Sequence, residues 1–344
     1  MKNKILVLGY FGNRTNKLDG QTVKTRNICA LLTQLGYEPT IFDTEDFRYG
    51  ILSAFRMVKS VCCSRRIVYL PAHNNLKYIF PIVYLLSFVV RSKIHYFVVG
   101  GWLSEYVRNL SLHRFMLKRV SGIYPETMKL KAELEQNYGF DNVSVFPNFR
   151  LTDFTPSATM LEDNKLRVVF MARINKMKGL DMIRQLCDDI AANAYEERVA
   201  ITFYGPVAAD DKGYFDDMIA AYSFVDYAGV LQPEDIHQTL QNYDVMLLPT
   251  HYYTEGIPGS IIDAYIAGIP VIATRWKHSA EIIDHNKTGI IVPFDNGAQE
   301  FNRAVKALVD DRELLAEMKK NARAKGESFT QYNISNILRE IIES

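Results

Sequence analysis

The sequence predicts an α/β protein made of two Rossmann-like lobes, whose parallel sheets face a central cleft. Three observations support this prediction. The chain has 344 residues, enough for two domains of roughly 150 residues each. Short apolar runs alternate with helix-period segments, which is typical of parallel sheets covered by helices on both faces. The alternation is interrupted once, over residues 149–164, where Thr, Ser, Pro and Asp indicate a linker.

The first lobe is predicted over residues 1–149. A helix is predicted over residues 21–35, because its larger apolar residues recur on one side and Gly36 follows as a stop signal. A second helix is predicted over residues 127–139. Strands are predicted at residues 4–9, 38–44, 67–71, 94–101, 122–125 and 143–148.

The second lobe is predicted over residues 150–325, and residues 326–344 hold a last helix. Strands are predicted at residues 166–173, 198–205, 225–230, 244–250, 270–274 and 289–293. Helices are predicted at residues 180–194, 215–223, 233–242, 259–268, 299–309, 311–325 and 330–342. Because ligands of parallel sheets bind outside the carboxyl ends of the strands, we expect a site in the cleft between the lobes.

The charge of the chain is unevenly distributed. The net charge is +1, but residues 1–150 carry 21 Lys+Arg against 10 Asp+Glu, and the remainder has the opposite excess. Residues 47–66 and 105–120 mix these cations with aromatic and aliphatic residues, which favours an anionic membrane surface. Ordinary solvated helix faces are the alternative. No nucleic-acid motif accompanies the charge, so nucleic acid is not an expected partner.

Three features of the sequence indicate a cytoplasmic protein. The start of the chain resembles a first strand more than a signal peptide, because its apolar run is short. The longest apolar stretch, residues 79–90, is shorter than the roughly 20 residues that span a bilayer, although it could lie on one. The four cysteines show no zinc or CxxC spacing and are expected to be buried, reduced thiols.

The most informative motif is TEGIPGSIIDAYIAGIPVIAT, residues 254–274. It places a helix start between two acids, Glu255 and Asp263. Unpaired backbone N–H groups at a helix start bind anions. We expect such donors from Gly256, Ile257, Gly259 and Ser260, whereas Pro258 has none. The combination suits a nucleotide sugar, and the alternative is a capped helix with one solvent-facing Asp.

This motif resembles the signature of retaining glycosyltransferases of family 4, which have the two-lobed GT-B fold. The signature has two acids separated by seven residues and then a Gly-x-Pro-Val strand. Here the second acid is Asp263 instead of Glu. The resemblance implies that Glu255 contacts the donor sugar and that Asp263 holds the ribose. It also implies that the last helix returns to the first lobe.

Other segments extend the resemblance over nearly the whole chain. In VVFMARINKMKGLDMI, Arg173 and Lys178 match the cations that stabilise the departing diphosphate. A solvated basic turn is the alternative. In LDGQTVKTRN, Gly20 matches one glycine of the family's phosphate turn, and Gln21 follows it. The loop with Val230 and Leu231 matches the segment near the nucleobase.

Departures from the family pattern concern the first lobe. Many relatives place a histidine after the fourth strand, where this chain has Gly100, Gly101 and Trp102. His73 is a candidate near the reacting carbon, but a loop histidine without a chemical role is an equal alternative. Glu105 is more typical of a solvated or helix-capping residue. We assign no general base, since the departing phosphate itself can accept the acceptor's proton.

The resulting prediction is a retaining glycosyltransferase at the inner face of the cell membrane. It transfers a sugar from a nucleoside-diphosphate donor to a hydroxyl of a glycan acceptor, lipid-linked in surface polysaccharide or glycoconjugate assembly. No cofactor and no metal are expected, because no Asp-x-Asp motif is present. Two alternatives stay open: a nucleotide-sugar epimerase of GT-B shape, and a two-lobed protein that binds the nucleotide sugar without turnover.

Overall fold

The computed structural model of the chain describes residues 4–15, 19–50, 52–157 and 165–344. The chain divides into a first unit, Met1–Leu151 with Thr330–Ser344, and a second unit, Thr152–Phe329. Part of the predicted linker, residues 158–164, lies outside the described residues. Both units are α/β with parallel sheets, which confirms the predicted fold class.

The first unit contains a parallel sheet in the order β2-β1-β3-β4-β5 among the described residues. Its strands are β1 (Ile5–Gly9), β2 (Thr40–Asp43), β3 (Arg66–Leu70), β4 (Lys93–Phe97) and β5 (Gly122–Tyr124). In register, Leu6 of β1 pairs with Thr40 on one side and Ile67 on the other. This 2-1-3-4-5 order is that of doubly wound nucleotide-binding folds, whose ligand site lies between the ends of β1 and β3.

Helices cover both faces of this sheet. They are α1 (Gly20–Gln34), α2 (Leu52–Cys62), α3 (Phe80–Val90), α4 (Leu103–Tyr106), α5 (Ser111–Leu117), α6 (Met128–Tyr138) and the C-terminal helix (Gln331–Glu343). One apolar core lies under α2, α3, α5 and α6. The other contains Ile28 and Leu32 of α1 with Ile334 and Leu338 of the C-terminal helix. The last helix thus belongs to the core of the first unit, although it follows the second unit in sequence.

The strand predicted at residues 143–148 is wrong. This segment runs beside β5 with one isolated bridge, between Ile123 and Val143. Ser144 donates to the carbonyl of Ile123 and Phe146 to that of Pro125. Pro125 has no N–H, so the return hydrogen bond cannot form and the ladder stops there. The predicted fourth strand also ends early, at Phe97, before Gly100 with its φ of +82°.

The expectation of four buried thiols is also wrong. Cys29 and Cys187 are buried, but Cys62 and Cys63 are exposed. The buried face of α2 is formed by Ser53, Met57 and Val61. Cys62 and Cys63 directly follow the last of these residues and lie on the outer side.

The second unit contains a parallel sheet in the order β8-β7-β6-β9-β10-β11 within its described residues. Its strands are β6 (Leu166–Met171), β7 (Val199–Tyr204), β8 (Val225–Tyr227), β9 (Val245–Leu248), β10 (Val271–Thr274) and β11 (Gly289–Val292). Counted from β6, this is the 3-2-1-4-5-6 order of dinucleotide-binding folds. The neighbouring strands β6 and β9 are parallel, and they mark the point where the strand order changes direction. From β6 the chain first adds β7 and β8 on one side, and it then adds β9, β10 and β11 on the other side. Ligands of this fold bind at the carboxyl ends of such a strand pair.

The helices of the second unit pack on both faces of its sheet. They are α7 (Leu180–Ala192), α8 (Lys212–Ala221), α9 (Ile236–Leu240), α10 (Gly259–Ile266), α11 (Ser279–Ile282), α12 (Ala298–Asp310) and α13 (Arg312–Gly326). The predicted helix over residues 233–242 is split into a 3-10 turn, Pro233–Asp235, and the short α9. Two apolar cores fill the faces, one under α7 and α12 and the other under α10.

Candidate functional site

Lys178 and Glu255 meet at the carboxyl ends of β6 and β9. Lys178 Nζ lies 2.5 Å from Glu255 Oε2, and the two side chains are 18% and 21% exposed. They lie in the loops that follow the two strands between which the sheet order reverses. The alternative of a freely solvated basic turn does not hold for Lys178, because its ammonium is paired.

A tight turn fixes Lys178. It ends the 3-10 helix Lys176–Lys178, and its N–H donates to the Asn175 side chain at 2.8 Å. Gly179 follows with a φ of +87°, and a Cβ there would lie 2.0 Å from the carbonyl oxygen of Pro249. Only glycine fits this approach, so the turn after β6 packs directly on the loop after β9. His251 N–H donates to the carbonyl of Met177, which joins the same two loops.

Buried polar groups position the loop that carries Glu255. Thr250 is fully buried, and its carbonyl accepts a hydrogen bond from Thr274 Oγ1 at 2.6 Å. Thr250 Oγ1 in turn lies 3.5 Å from Glu255 Oε2. On the other side, the indole N–H of buried Trp276 donates to the carbonyl of Gly256 at 3.2 Å. The backbone on both sides of Glu255 is therefore tied to β10 and the loop that follows it.

Arg173 lies two residues after β6 and is exposed. Its guanidinium makes no hydrogen bond or ion pair with the residues that the structure describes. The backbone beneath it is held tightly, because Gly205 approaches the carbonyl of Ala172 so closely that a Cβ would lie 2.0 Å away. Arg173 is thus an unpaired cation, within the described residues, on closely packed backbone. It follows the same strand end, that of β6, as Lys178.

The predicted anion site is the start of α10. The helix begins at Gly259 after Pro258, and no side chain caps it. The first N–H groups of a helix have no partner within it, so those of Gly259 and Ser260 are available to a ligand. Gly256 is buried, and Ile257 is 8% exposed because its side chain joins the apolar core under α10.

Asp263 lies inside α10 and is 3% exposed, which rules out the alternative of a solvent-facing residue. His237 Nε2 lies 3.1 Å from Asp263 Oδ1, and His237 Nδ1 lies 3.4 Å from Thr152 Oγ1. The short α9 therefore carries a histidine that orients the acid of α10. Sequence spacing gives no sign of this pair.

Val230 and Leu231 follow β8. Val230 is 49% exposed, whereas Leu231 is partly buried against the core under α10. The carbonyl of Gly229, just before them, accepts a hydrogen bond from Gly205 N–H at 2.8 Å. This bond connects the loop after β8 to the loop after β7. It therefore fixes the start of the segment that is predicted to lie near the nucleobase.

Gly20 and Gln21 begin α1 in the first unit. Asp19, which precedes them, caps the helix by accepting a hydrogen bond from Thr22 N–H at 3.0 Å. The Gln21 amide donates to the carbonyl of Leu70, at the end of β3. Both residues thus lie at the end of β1 and β3, where the order of the first sheet reverses. No described atom lies within 4 Å of a Cβ at Gly20, so folding does not require glycine there.

His73 belongs to an aromatic cluster at the same edge of the first sheet. Its ring stacks on Trp102 with centroids 3.8 Å apart, and Tyr106 packs edge-on against both. Tyr106 also donates its hydroxyl to the carbonyl of His73. Desolvation by the neighbouring rings lowers the pKa of His73, which favours the neutral form of the ring. Glu105 follows Trp102 in α4 and is exposed.

Comparison with known proteins identifies the family. The family model for glycosyl transferases group 1 matches residues 153–325, which is half of the chain. The chain belongs to this family. The matched region contains Arg173, Lys178, Glu255 and Asp263.

Relatives with known names are distant. The chain is 27% identical over 197 residues to the sulfoquinovosyl transferase SQD2 of Arabidopsis thaliana, covering 56% of the chain and 36% of SQD2. It is 28% identical over 183 residues to the amylovoran biosynthesis glycosyltransferase AmsK of Erwinia amylovora, covering 52% of the chain and 44% of AmsK. The chain thus matches less than half of the length of these two relatives.

Solved structures share the whole fold. HepE of Anabaena, crystallised with UDP and glucose, superimposes with a TM-score of 0.75 at 18% identity over 99% of both chains. A sucrose-phosphate synthase of Thermosynechococcus elongatus gives a TM-score of 0.78 at 14% identity, over 99% of this chain and 98% of the other. These similarities show the GT-B type of fold. In the described part of the chain, no helix is long and apolar enough to cross a membrane.

Proposed function

We propose that the protein is a retaining glycosyltransferase that transfers a sugar from a nucleoside-diphosphate donor to a hydroxyl of a glycan acceptor. The observation that supports this best is the Lys178–Glu255 pair, which lies where ligands of this sheet order bind. One site thus presents a cation for phosphate and a carboxylate for sugar hydroxyls. The glycosyltransferase family of residues 153–325 agrees with this chemistry.

The donor's charge determines the proposed roles of the second unit. Arg173, Lys178 and the N–H groups of Gly256 to Ser260, without Pro258, bind the diphosphate. Asp263, oriented by His237, accepts from the ribose hydroxyls. Val230 and Leu231 flank the base, and the N–H groups of Gly20 and Gln21 remain a predicted phosphate contact. Since HepE was crystallised with UDP and glucose, a uridine nucleotide is the first donor to test.

The reaction needs charge stabilisation at two places. As the bond between the anomeric carbon and the phosphate oxygen breaks, the oxygen gains negative charge, which Arg173 and Lys178 stabilise. The sugar gains positive charge, which Glu255 stabilises. The acceptor oxygen bonds to the anomeric carbon on the same face and its proton passes to the departing phosphate, so the configuration is retained. These cations allow the chemistry to proceed without a metal.

We further propose a lipid-linked glycan acceptor and a peripheral position on the cytoplasmic face of the membrane. The name of AmsK places that relative in amylovoran biosynthesis, and SQD2 is a sulfoquinovosyl transferase. In the first unit, the rings of His73, Trp102 and Tyr106 lie at the carboxyl edge of the sheet, where ligands bind. Aromatic rings offer apolar faces against which a sugar ring can pack. We assign the acceptor glycan to this cluster.

A thermal-shift screen against nucleotide sugars tests the proposal first, because a ligand that binds the folded state raises Tm. Mass spectrometry with lipid-linked acceptors then follows the product. Transfer of the sugar only when acceptor is present supports a transferase. Conversion of the donor without acceptor would instead identify an epimerase, and a raised Tm without any turnover would identify a binding protein.

A further inference from the structure

Three neighbouring helices of the first unit carry large apolar side chains on their outer surface. Helices α2 and α3 pack side by side, as do α3 and α5. Their inner faces share one core, which includes Met57, Val83 and Leu117. Eight further apolar side chains on these helices are 46–74% exposed, and we call them the apolar face: Leu52, Phe55, Ile82, Leu85, Phe88, Val89, Leu112 and Phe115.

Helix α3 is apolar on its exposed side as well as on its buried side. Phe80, Val83 and Ser87 form its buried side. The opposite side holds Leu85, Phe88 and Val89, which are apolar as well. A surface helix of a water-soluble domain normally has a polar outer face. Exposed apolar patches of this kind mark an interaction site.

The second unit offers an internal contrast. Its strongly exposed large apolar residues, among those described, are Met177, Tyr227, Val230, Tyr252 and Tyr253. Three of these five are tyrosines, which carry a hydroxyl, and none is Leu, Ile or Phe. Among the described residues, strongly exposed Leu, Ile and Phe side chains therefore occur in the first unit and not in the second.

The helices of the apolar face carry cations and no acids. None of α2, α3 and α5 contains an Asp or Glu, and no acid occurs between Asp46 and Glu105. Lys59 of α2 is exposed, and Arg91 and Arg119 lie just after α3 and α5. Apolar side chains with cations beside them complement an anionic lipid surface, with apolar acyl chains below and phosphates above.

A concave pocket of about 600 Å³ lies at the edge of this face. Arg91 and Arg119 line it together with Phe88, Val89 and Ser121. The Arg119 guanidinium lies 3.7 Å from the centroid of the Phe115 ring, and neither arginine is paired with a carboxylate within the described residues. Arg119 also donates Nη1–H to the carbonyl of Phe115 at 3.1 Å, which leaves its other N–H groups for a ligand. Two guanidinium groups without a carboxylate partner in one pocket favour a phosphate, which arginine binds through two parallel hydrogen bonds.

The position of the pocket separates it from the sugar chemistry. Arg91 precedes β4 and Arg119 precedes β5, so the pocket lies at the amino ends of these strands. The aromatic cluster of His73 lies at the carboxyl ends. The pocket is therefore at the opposite edge of the sheet from the residues that we assign to the acceptor glycan.

We infer that the apolar face inserts into the headgroup region of an anionic phospholipid bilayer, and that Arg91 and Arg119 bind a lipid phosphate. This inference assigns a surface to the proposed membrane association. It does not depend on which sugar is transferred. Its readout is vesicle binding, so it can fail while the glycosyltransferase proposal stands, and the reverse also holds.

The test is cosedimentation of the whole protein with vesicles of phosphatidylglycerol and phosphatidylcholine, or of phosphatidylcholine alone. We expect wild type to bind the anionic vesicles at least about tenfold more tightly. Leu85→Glu with Phe88→Glu should lower binding to anionic vesicles at least tenfold. Ile41→Glu is the control for an acidic substitution outside the face, because Ile41 is 47% exposed in the same unit, and it should bind nearly as wild type.

A second variant tests the pocket without altering the apolar face. Arg91→Asn with Arg119→Gln should lower binding to anionic vesicles at least about tenfold at low salt and leave binding to phosphatidylcholine unchanged. Arg91 has a φ of +57°, which Asn tolerates, so this change adds no backbone strain. Thermal unfolding of each variant verifies that it is folded.

Three results would overturn the inference. One is wild-type vesicle binding by either folded double variant. Another is a wild-type protein that binds both vesicle types equally weakly. The third is a wild-type dimer that Leu85→Glu with Phe88→Glu converts to monomer without any vesicle binding, which would assign the apolar face to a second copy of the chain. Sedimentation equilibrium distinguishes this last case.

Discussion

Lys178 Nζ donates to Glu255 Oε2 at 2.5 Å, across the two loops that follow neighbouring strands β6 and β9. The pair is about four-fifths buried, and Thr250 Oγ1 lies beside the same carboxylate oxygen. In the ligand-free protein each charge neutralises the other. We propose that a bound diphosphate competes for the ammonium and so releases the carboxylate toward the sugar, which would connect donor binding to the chemistry proposed above.

Replacing Lys178 should weaken diphosphate binding. A hydrogen bond to a charged group contributes about 1.5–3 kcal/mol, so Lys178→Ala should raise the Kd for a nucleoside diphosphate at least about tenfold. Isothermal titration calorimetry measures this change. Lys176→Ala is the control, because Lys176 belongs to the same 3-10 helix but lies over the Tyr214 ring. Equal losses in both variants would mean that Lys178 acts only as general positive charge.

His237 and Asp263 should act as one unit in nucleotide binding. If His237 orients the Asp263 carboxylate toward ribose, His237→Ala should weaken binding severalfold and Asp263→Asn more strongly. The double variant should lose less than the sum of the two free-energy changes, because the residues are in contact. Gln238→Ala, on the exposed side of α9, is the control. Additive losses would show that the histidine has an independent role.

Gly179→Ala should destabilise the second unit. The new Cβ would lie 2.0 Å from the carbonyl oxygen of Pro249, and a φ of +87° is itself unfavourable for alanine. We expect a loss of at least about 2 kcal/mol in the free energy of unfolding, with lower turnover as Lys178 moves. Gly213→Ala in α8, where no atom lies within 4 Å, should leave stability unchanged or slightly higher. Urea unfolding measures both variants, and equal stabilities would contradict the close packing of these loops.

His95 should make stability depend on pH. Burial, assisted by the charges of Arg66 and Lys93, lowers the pKa of His95 to about 4 from the ordinary 6.5. Between these values the unfolded chain binds the proton and the folded chain does not, so stability is greatest above pH 6.5 and falls as pH drops toward 4. The loss amounts to about 3 kcal/mol over this range.

His95→Gln tests this effect, since glutamine does not titrate. Urea unfolding at pH 7.5 and pH 4.5 should show a clearly smaller difference for the variant than for wild type. The same pH dependence in both proteins would mean that other groups cause the acid sensitivity.

Most of the fold could be predicted from local patterns. Alternating apolar runs and helix-period segments identified every strand in the second sheet, because each buried strand is short and bounded by polar turns. The predictions that failed did so because pairing and burial depend on neighbouring segments, which local patterns do not show. Pro125, which directly follows β5, stops residues 143–148 from pairing with that strand beyond one bridge. Likewise, periodicity cannot tell which side of α3 is buried, because that helix is apolar all round.

The candidate site was only partly accessible to sequence reasoning. Glu255, Asp263, Arg173 and Lys178 lie in recognisable spacings, because their roles depend on short segments at strand ends. Partners from distant segments were missed: His237 beside Asp263, and Trp276 beneath Gly256. These contacts arise from tertiary packing of α9 and of the loop after β10. Their spacing in the chain carries no signal.

The most direct test of the central claim is the turnover of Glu255→Ala with the nucleotide sugar that most stabilises wild type. If Glu255 supports the developing charge on the donor sugar, kcat should fall at least about tenfold, an effect above about 1.4 kcal/mol. Glu255→Gln, which keeps the side-chain length and removes the charge, should show a similar loss. Wild-type turnover in a folded Glu255→Ala protein would contradict the assignment of Glu255 to the reacting sugar.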